Sequence, residues 1–129
     1  MERQATQQIK DVMTRDVETI EADATLQAAA KKMTTADVGP LPVVEGGRVV
    51  GMCTDRDIII WAAGAGGDTQ TTKVRDIMTT AVDTCSEDDD VHEVARIMQA
   101  KQHKRLVVLD RNQQFAGIVS LADLPVSGV

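Results

Sequence analysis

Apolar positions along the chain follow two rhythms, and the same succession of rhythms occurs twice. Leu26, Ala29, Ala30 and Met33 stand at i, i+3, i+4 and i+7, as do Val91, Val94, Ala95 and Met98. Each set predicts a helix that packs by one stripe. Asp23 and Thr25 mark the start of the first helix, and Glu87-Asp88-Asp89-Asp90 the start of the second. Acid there suits the positive end of a helix. The acidic run lacks the alternating ligands and the glycine of a calcium loop. After each helix the pattern changes to β-branched runs around a polar turn. Leu41–Val44 and Arg48–Cys53 flank Glu45-Gly46-Gly47, and Leu106–Leu109 and Phe115–Val119 flank Asp110–Gln114, so each pair predicts a hairpin. A short extended piece, Val17–Ile20 or Val82–Cys85, precedes each helix.

The two copies differ in how they end. In the first, Gly39 and Pro40 break the helix before the hairpin, and a further helix is predicted from Asp55 to about Ala63. Its run Ile58-Ile59-Ile60-Trp61-Ala62-Ala63 is apolar over most of the circumference. A helix of that kind is buried on more than one side, which predicts packing at a subunit or repeat interface. In the second copy Leu124 is followed at once by Pro125, so the closing helix should be one turn or absent.

A shift of 65 positions lays Ile9-Lys10-Asp11-Val12-Met13-Thr14 on Val74-Arg75-Asp76-Ile77-Met78-Thr79, and Leu41-x-Val43 on Leu106-x-Val108. One residue inserted in the second hairpin turn then brings Gly51 onto Gly117 and Asp57 onto Asp123. The chain is a tandem duplication. It divides into a tail 1–8, a repeat 9–63, a flexible linker 64–73, a repeat 74–124 and a tail 125–129. Strand, helix, strand, strand, helix, twice over, predicts an α/β fold with two sheets packed together, because neither half can cover its own apolar face.

Composition narrows the function classes. At 129 residues the chain can bury a core without staples. One Trp, one Phe, no Tyr and a net charge of -6 argue against nucleic acid, which needs stacking rings and a basic surface. Cys53 and Cys85 sit in apolar runs without metal or redox spacing, as buried small hydrophobes do. No apolar run of about 18 residues predicts a membrane span, so a soluble cytoplasmic protein is expected. No nucleophile-base set, metal-spaced His/Cys set or glycine-rich phosphate loop indicates an enzyme. His92 falls on the polar side of its helix.

The stretch Gly51-Met52-Cys53-Thr54-Asp55-Arg56-Asp57 returns as Gly117-Ile118-Val119-Ser120-Leu121-Ala122-Asp123. A hydroxyl residue with an acid three positions on predicts a strand running into a capped helix in both copies. It also sets a hydroxyl and a carboxylate beside a helix start, where phosphates and sugar diols are readily held.

These doubled motifs, together with Asp-x-Met-Thr, Val-x-Thr and Leu-Pro-Val-Val or Leu-Val-Val-Leu, resemble a pair of cystathionine beta-synthase (CBS) domains over about Ile9–Leu124. The resemblance implies two β-α-β-β-α repeats forming a pseudo-two-fold Bateman module. It implies a regulatory protein that takes AMP, ADP, ATP, NAD or S-adenosylmethionine in clefts between the repeats and signals by conformational change. Asp57 and Asp123 would hold the ribose diol, and Thr54 and Ser120 the phosphate. Adenine would meet backbone near Thr19 and Ile20 in the Asp123 cleft, and near Thr84 and Cys85 in the Asp57 cleft. Related sensors carry basic residues where Lys104 and Arg105 stand, facing phosphates, whereas the first repeat has Gly39 and Pro40 there. The residues alone fit equally a solvated cationic patch of His103, Lys104 and Arg105 at a helix end. No cofactor is required; Mg2+ is compatible with a polyphosphate, though no residue set demands it. Family members of this size pair into discs, which implies a homodimer and an unidentified downstream protein. The alternative is a ligand-independent scaffold.

Overall fold

The computed structural model describes residues 7–124, which form two compact units. The first is Glu18–Val82, and the second joins residues 7–17 to 83–124. The units therefore cut across the sequence repeats, because each Asp-x-Met-Thr segment packs with the other repeat's sheet.

In the first unit, strand β1 (Ile20–Glu21) runs parallel to β2 (Leu41–Glu45), which pairs antiparallel with β3 (Arg48–Cys53) in the order β1-β2-β3. Gly46 and Gly47, with φ of 61° and 83°, make the tight turn of the hairpin, a backbone region open to glycine at little cost. Helix α1 (Leu26–Ala36) crosses between β1 and β2. Thr25 Oγ1 accepts from Ala28 N–H at 3.1 Å as its cap, and Leu26, Ala29 and Met33 are buried, with Ala30 half-buried. The helix stops earlier than Gly39 and Pro40 predict, because Asp37 turns left-handed with a φ of 56°.

Part of the stretch 64–73 touches the start of α1. The carbonyls of Thr72 and Thr69 accept from Leu26 and Gln27 N–H at 3.0 and 2.9 Å, which satisfies N–H groups that the start of a helix leaves unpaired. Val74, at the head of the second sequence repeat, is fully buried in this unit's core beside Leu26, Leu41, Val43 and Cys53.

The second unit repeats the plan. β4 (Thr84–Ser86) is parallel to β5 (Arg105–Leu109), and β5 is antiparallel to β6 (Phe115–Ser120). Helix α3 (Val91–Lys101) is capped by Asp90, whose side chain accepts from Glu93 N–H at 3.0 Å. Its stripe of Val91, Val94, Ala95 and Met98 meets Ile9, from the head of the first sequence repeat, in one core. Gly117 shows why the doubled glycine is required. A Cβ there would stand 2.4 Å from the Thr14 carbonyl oxygen, and one on Gly51 would stand 2.8 Å from that of Thr79.

The closing helices differ, as expected. Helix α2 (Asp55–Ile59) runs on as a π-helical turn over Ile60–Gly64, whereas Leu121–Asp123 is one 3-10 turn. Within its own unit α2 buries only one side. Ile58 is buried and Trp61 half-buried, but Ile59 and Ile60 are 63% and 57% exposed. Burial on several sides is thus not met within the described residues of this unit. No helix of the described residues is long and apolar enough to cross a membrane.

Candidate functional site

At the end of β3 the chain turns into α2 through a reciprocal cap. Thr54 Oγ1 accepts from Asp57 N–H at 3.1 Å, and Asp57 Oδ2 accepts from Thr54 N–H at 3.0 Å. One carboxylate oxygen is thereby committed to the backbone. Asp57 stays half-buried, close enough to Cys53 for its charge to act on the thiol. Burial first, and that charge second, push Cys53 up to about 11.

Gly39 lies beside this cap, for its carbonyl accepts from Asp55 N–H at 3.2 Å. A Cβ on Gly39 would stand 3.3 Å from Asp55 Oδ1. Pro40 precedes Leu41, which faces Cys53 across the hairpin. Between α1 and α2 opens a cavity of about 410 Å³, with Ala30, Met33 and Ile58 in its apolar wall and Asp37, Gly39 and Asp55 among its polar lining.

The equivalent edge of the second unit has the same backbone and different side chains. The Lys104 carbonyl accepts from Leu121 N–H at 2.8 Å, and Arg105 is the register partner of Ser120. Lys104, Arg105 and Ser120 therefore meet at one edge, and Asp123 ends the 3-10 turn that leaves it. Lys104 and Arg105 are exposed, and no acid among the described residues pairs with either. The cap expected here is absent, since Ser120 makes no side-chain cap bond. The turn ends at Asp123 and Leu124 returns to extended backbone, so among the described residues only one 3-10 turn follows Ser120. Asp123 is exposed, with both oxygens free of hydrogen bonds among the described residues. His103 Nε2 lies 2.7 Å from Asp83 Oδ2, which occupies it away from a free cationic patch.

The backbone segments expected to meet a base fall in different settings. Thr19 precedes β1 and its carbonyl accepts from Lys32 Nζ of α1. Ile20 is buried and paired with Val43. Thr84 and Cys85 are within β4, opposite Val107 and Val108. Burial, and then the nearby Asp89 charge, push the Cys85 thiol up to about 12. Thr19 and Ile20 belong to the first unit with Asp57, and Thr84 and Cys85 to the second with Asp123.

Two residues bearing on the site are not legible in the pattern. Lys32 reaches Thr19 across thirteen positions, and nothing in the helical stripe signals it. Asp55 sits inside the doubled motif, where its replacement by Leu121 in the second copy is the available signal.

Chemically, the second unit's edge can accept from a diol through Asp123 and face an anion with two cations. The first unit's edge offers carboxylates to its cavity and no cation. Among the described residues no three His, Cys, Asp or Glu side chains converge on a metal position.

A model of the CBS domain family matches residues 9–64 and 74–124. CBS domain-containing protein YhcV of Bacillus subtilis (strain 168) is 38% identical over 119 residues, covering 92% of this chain and 84% of its own length. A crystal structure of hypoxic response protein I with two coordinated zinc ions is similar with a TM-score of 0.78 and 30% identity, over 91% of this chain and 95% of that one. The CBS domain pair of protein MJ0100, in complex with 5′-methylthioadenosine and S-adenosyl-L-methionine, is similar with a TM-score of 0.74 and 28% identity, over 92% and 93% of the two chains.

Proposed function

Because this chain belongs to the CBS domain family, with two tandem repeats in an α/β fold, we propose that it is a regulatory sensor of adenosyl ligands and not an enzyme. The observation that carries the reading is the meeting of Lys104, Arg105 and Ser120 at one strand edge, with Asp123 in the turn that leaves it. A carboxylate free of internal bonds can accept from both ribose hydroxyls, as an acid does in dinucleotide folds, while the two cations face a phosphate. The MJ0100 domain pair, which holds adenosyl compounds, supports the same ligand class here.

In this reading Asp57 and Asp123 each accept from the ribose hydroxyls of a bound adenosyl ligand. Ligand binding signals because it favours one arrangement of the protein over another. The protein acts as a cytoplasmic homodimer, with exposed Ile59 and Ile60 on the pairing face, and relays its state to a downstream protein. Mg2+ accompanies the ligand only where that ligand is a polyphosphate.

Saturation at a hundredfold excess over Kd stabilises a protein by about 2.7 kcal/mol, and each kcal/mol moves Tm by roughly 2–8 °C. A thermal-shift panel of AMP, ADP, ATP, NAD and S-adenosylmethionine should raise Tm clearly for at least one ligand. Asp57→Ala or Asp123→Ala should remove the rise belonging to its own site. No shift with any ligand would leave a ligand-independent scaffold instead.

A further inference from the structure

The two repeats place the same backbone hydrogen bond at the site edge and surround it with opposite charge. Asp55 N–H donates to the Gly39 carbonyl in the first unit, and Leu121 N–H donates to the Lys104 carbonyl in the second, at 3.2 and 2.8 Å. Position 39 therefore corresponds to 104, 40 to 105, and 55 to 121, which also agrees with the duplication read from the sequence. In the second unit that geometry presents Lys104 and Arg105 beside an apolar Leu121. In the first it presents Gly39 and Pro40 beside an acid.

Where that acid lies matters more than its presence. Asp55 Oδ1 accepts from Arg56 N–H at 2.9 Å, and this holds it 3.3 Å from where a Cβ on Gly39 would be. A carboxylate thus stands over the place where the Lys104 side chain begins in the other repeat. It lines the 410 Å³ cavity together with Asp37, and Arg56, the nearest cation in sequence, does not. A phosphate brought to this edge would meet like charge without a compensating cation, and like charge at short range is disfavoured.

We infer that the two sites are selective for opposite charge. The second unit's site takes a phosphorylated nucleoside, and the first unit's site takes an adenosyl ligand without phosphate, whose 5′ substituent is neutral or cationic, such as a thioether or sulfonium. This rests on the adenosyl-sensing reading above and assigns the ligand class to each of its sites. Rejection by an unpaired charge is as effective a source of specificity as attraction, so one small protein can respond to two ligands without competition between them.

Calorimetry with AMP, methylthioadenosine and S-adenosylmethionine tests the assignment. Asp123→Ala, which leaves the first unit's site, should bind methylthioadenosine and S-adenosylmethionine at least tenfold more tightly than AMP. Asp57→Asn, which keeps an oxygen for the Thr54 cap, should show the reverse order. Adding Asp55→Leu or the milder Asp55→Asn to Asp123→Ala should narrow the methylthioadenosine-to-AMP ratio at least threefold. Equal or tighter AMP binding by Asp123→Ala, or a ratio that neither Asp55 variant moves, overturns the inference while leaving adenosyl sensing intact. If the wild type and both single variants bind none of the three compounds, the sensing reading itself falls, and this inference with it.

Discussion

Arg75 Nε donates to Asp23 Oδ1 at 2.9 Å, tying the lead-in of the second sequence repeat to the turn before the first repeat's helix. The same guanidinium also bonds Glu45. In the second unit Lys10 Nζ meets Asp88 Oδ1 at 3.2 Å, and Arg111 Nε meets Asp88 Oδ2 at 3.1 Å. Hydrogen bonding to Arg75 holds the Asp23 carboxyl below its ordinary 3.8, and bonding to Arg111 and Lys10 does the same for Asp88.

An acid-dependence prediction comes from that pair. A carboxyl whose folded pKa is depressed stabilises above its unfolded value and loses the contribution as pH falls through the folded value. Arg75→Ala should therefore be less stable than wild type at pH 7. The difference should close as pH falls from about 3.8 through the depressed folded value of Asp23. Urea unfolding at pH 7, 4.5, 3 and 2 reads it, and a difference that persists undiminished at pH 2 would refute the account.

Exchange of the lead-in segments sets a second expectation. Ile9 is fully buried in the core of the second unit, so Ile9→Ala should cost about 2–5 kcal/mol, as large-to-small core changes do. Gly117→Ala should also destabilise, because the added Cβ meets the Thr14 carbonyl at 2.4 Å. Chemical denaturation of each variant measures both, and deletion of residues 1–14 should give a larger loss than either substitution.

The unequal caps separate the two motifs. Thr54→Ala removes a reciprocal box and should cost about 1 kcal/mol, the usual value for a lost N-cap. Ser120→Ala removes no cap bond and should leave stability nearly unchanged. Paired urea melts of the two variants suffice, and equal losses would contradict the geometry.

Both thiols should be inert at neutral pH, since the thiolate is the reactive form. Burial pushes Cys53 up to about 11 and Cys85 up to about 12 from an ordinary 9.0. Iodoacetamide at pH 8 should label the native protein at least tenfold more slowly than the urea-unfolded chain. A thiol raised in the folded state favours folding below the unfolded value, so the Cys53 contribution should fade between about pH 9 and 11. Thermal melts across that range test the sign.

If the exposed Ile59 and Ile60 form the pairing face, Ile60→Glu should convert a dimer to a monomer while the unit keeps its fold. A charge in an apolar interface cannot be desolvated without a partner. Sedimentation together with circular dichroism distinguishes lost pairing from lost folding.

Much of the fold is legible because stripes and alternation are local properties. Leu26, Ala29 and Met33 bury themselves wherever a helix meets a sheet, and Gly46-Gly47 turns whatever surrounds it. The pairing of Arg105 with Ser120 follows the same logic, because register in a hairpin is fixed by its turn. Features that depend on distant chain were not legible. Asp37 ends α1 ahead of Gly39, Thr69 and Thr72 hydrogen-bond to the helix start, and Lys32 reaches the Thr19 carbonyl.

By itself, the order of residues determined two copies of one α/β unit, their helices and hairpins, and an acid and a hydroxyl after each hairpin. Only the tertiary structure decided that each copy takes its first segment from the other, with Ile9 and Val74 buried in exchanged cores. It also decided that Asp57 is bound to the Thr54 backbone while Asp123 makes no hydrogen bond among the described residues, and that Asp55 lies over Gly39. The physical reason is range. Periodicity records which face of an element is apolar, whereas the choice of the segment that covers that face depends on contacts between residues far apart in the chain.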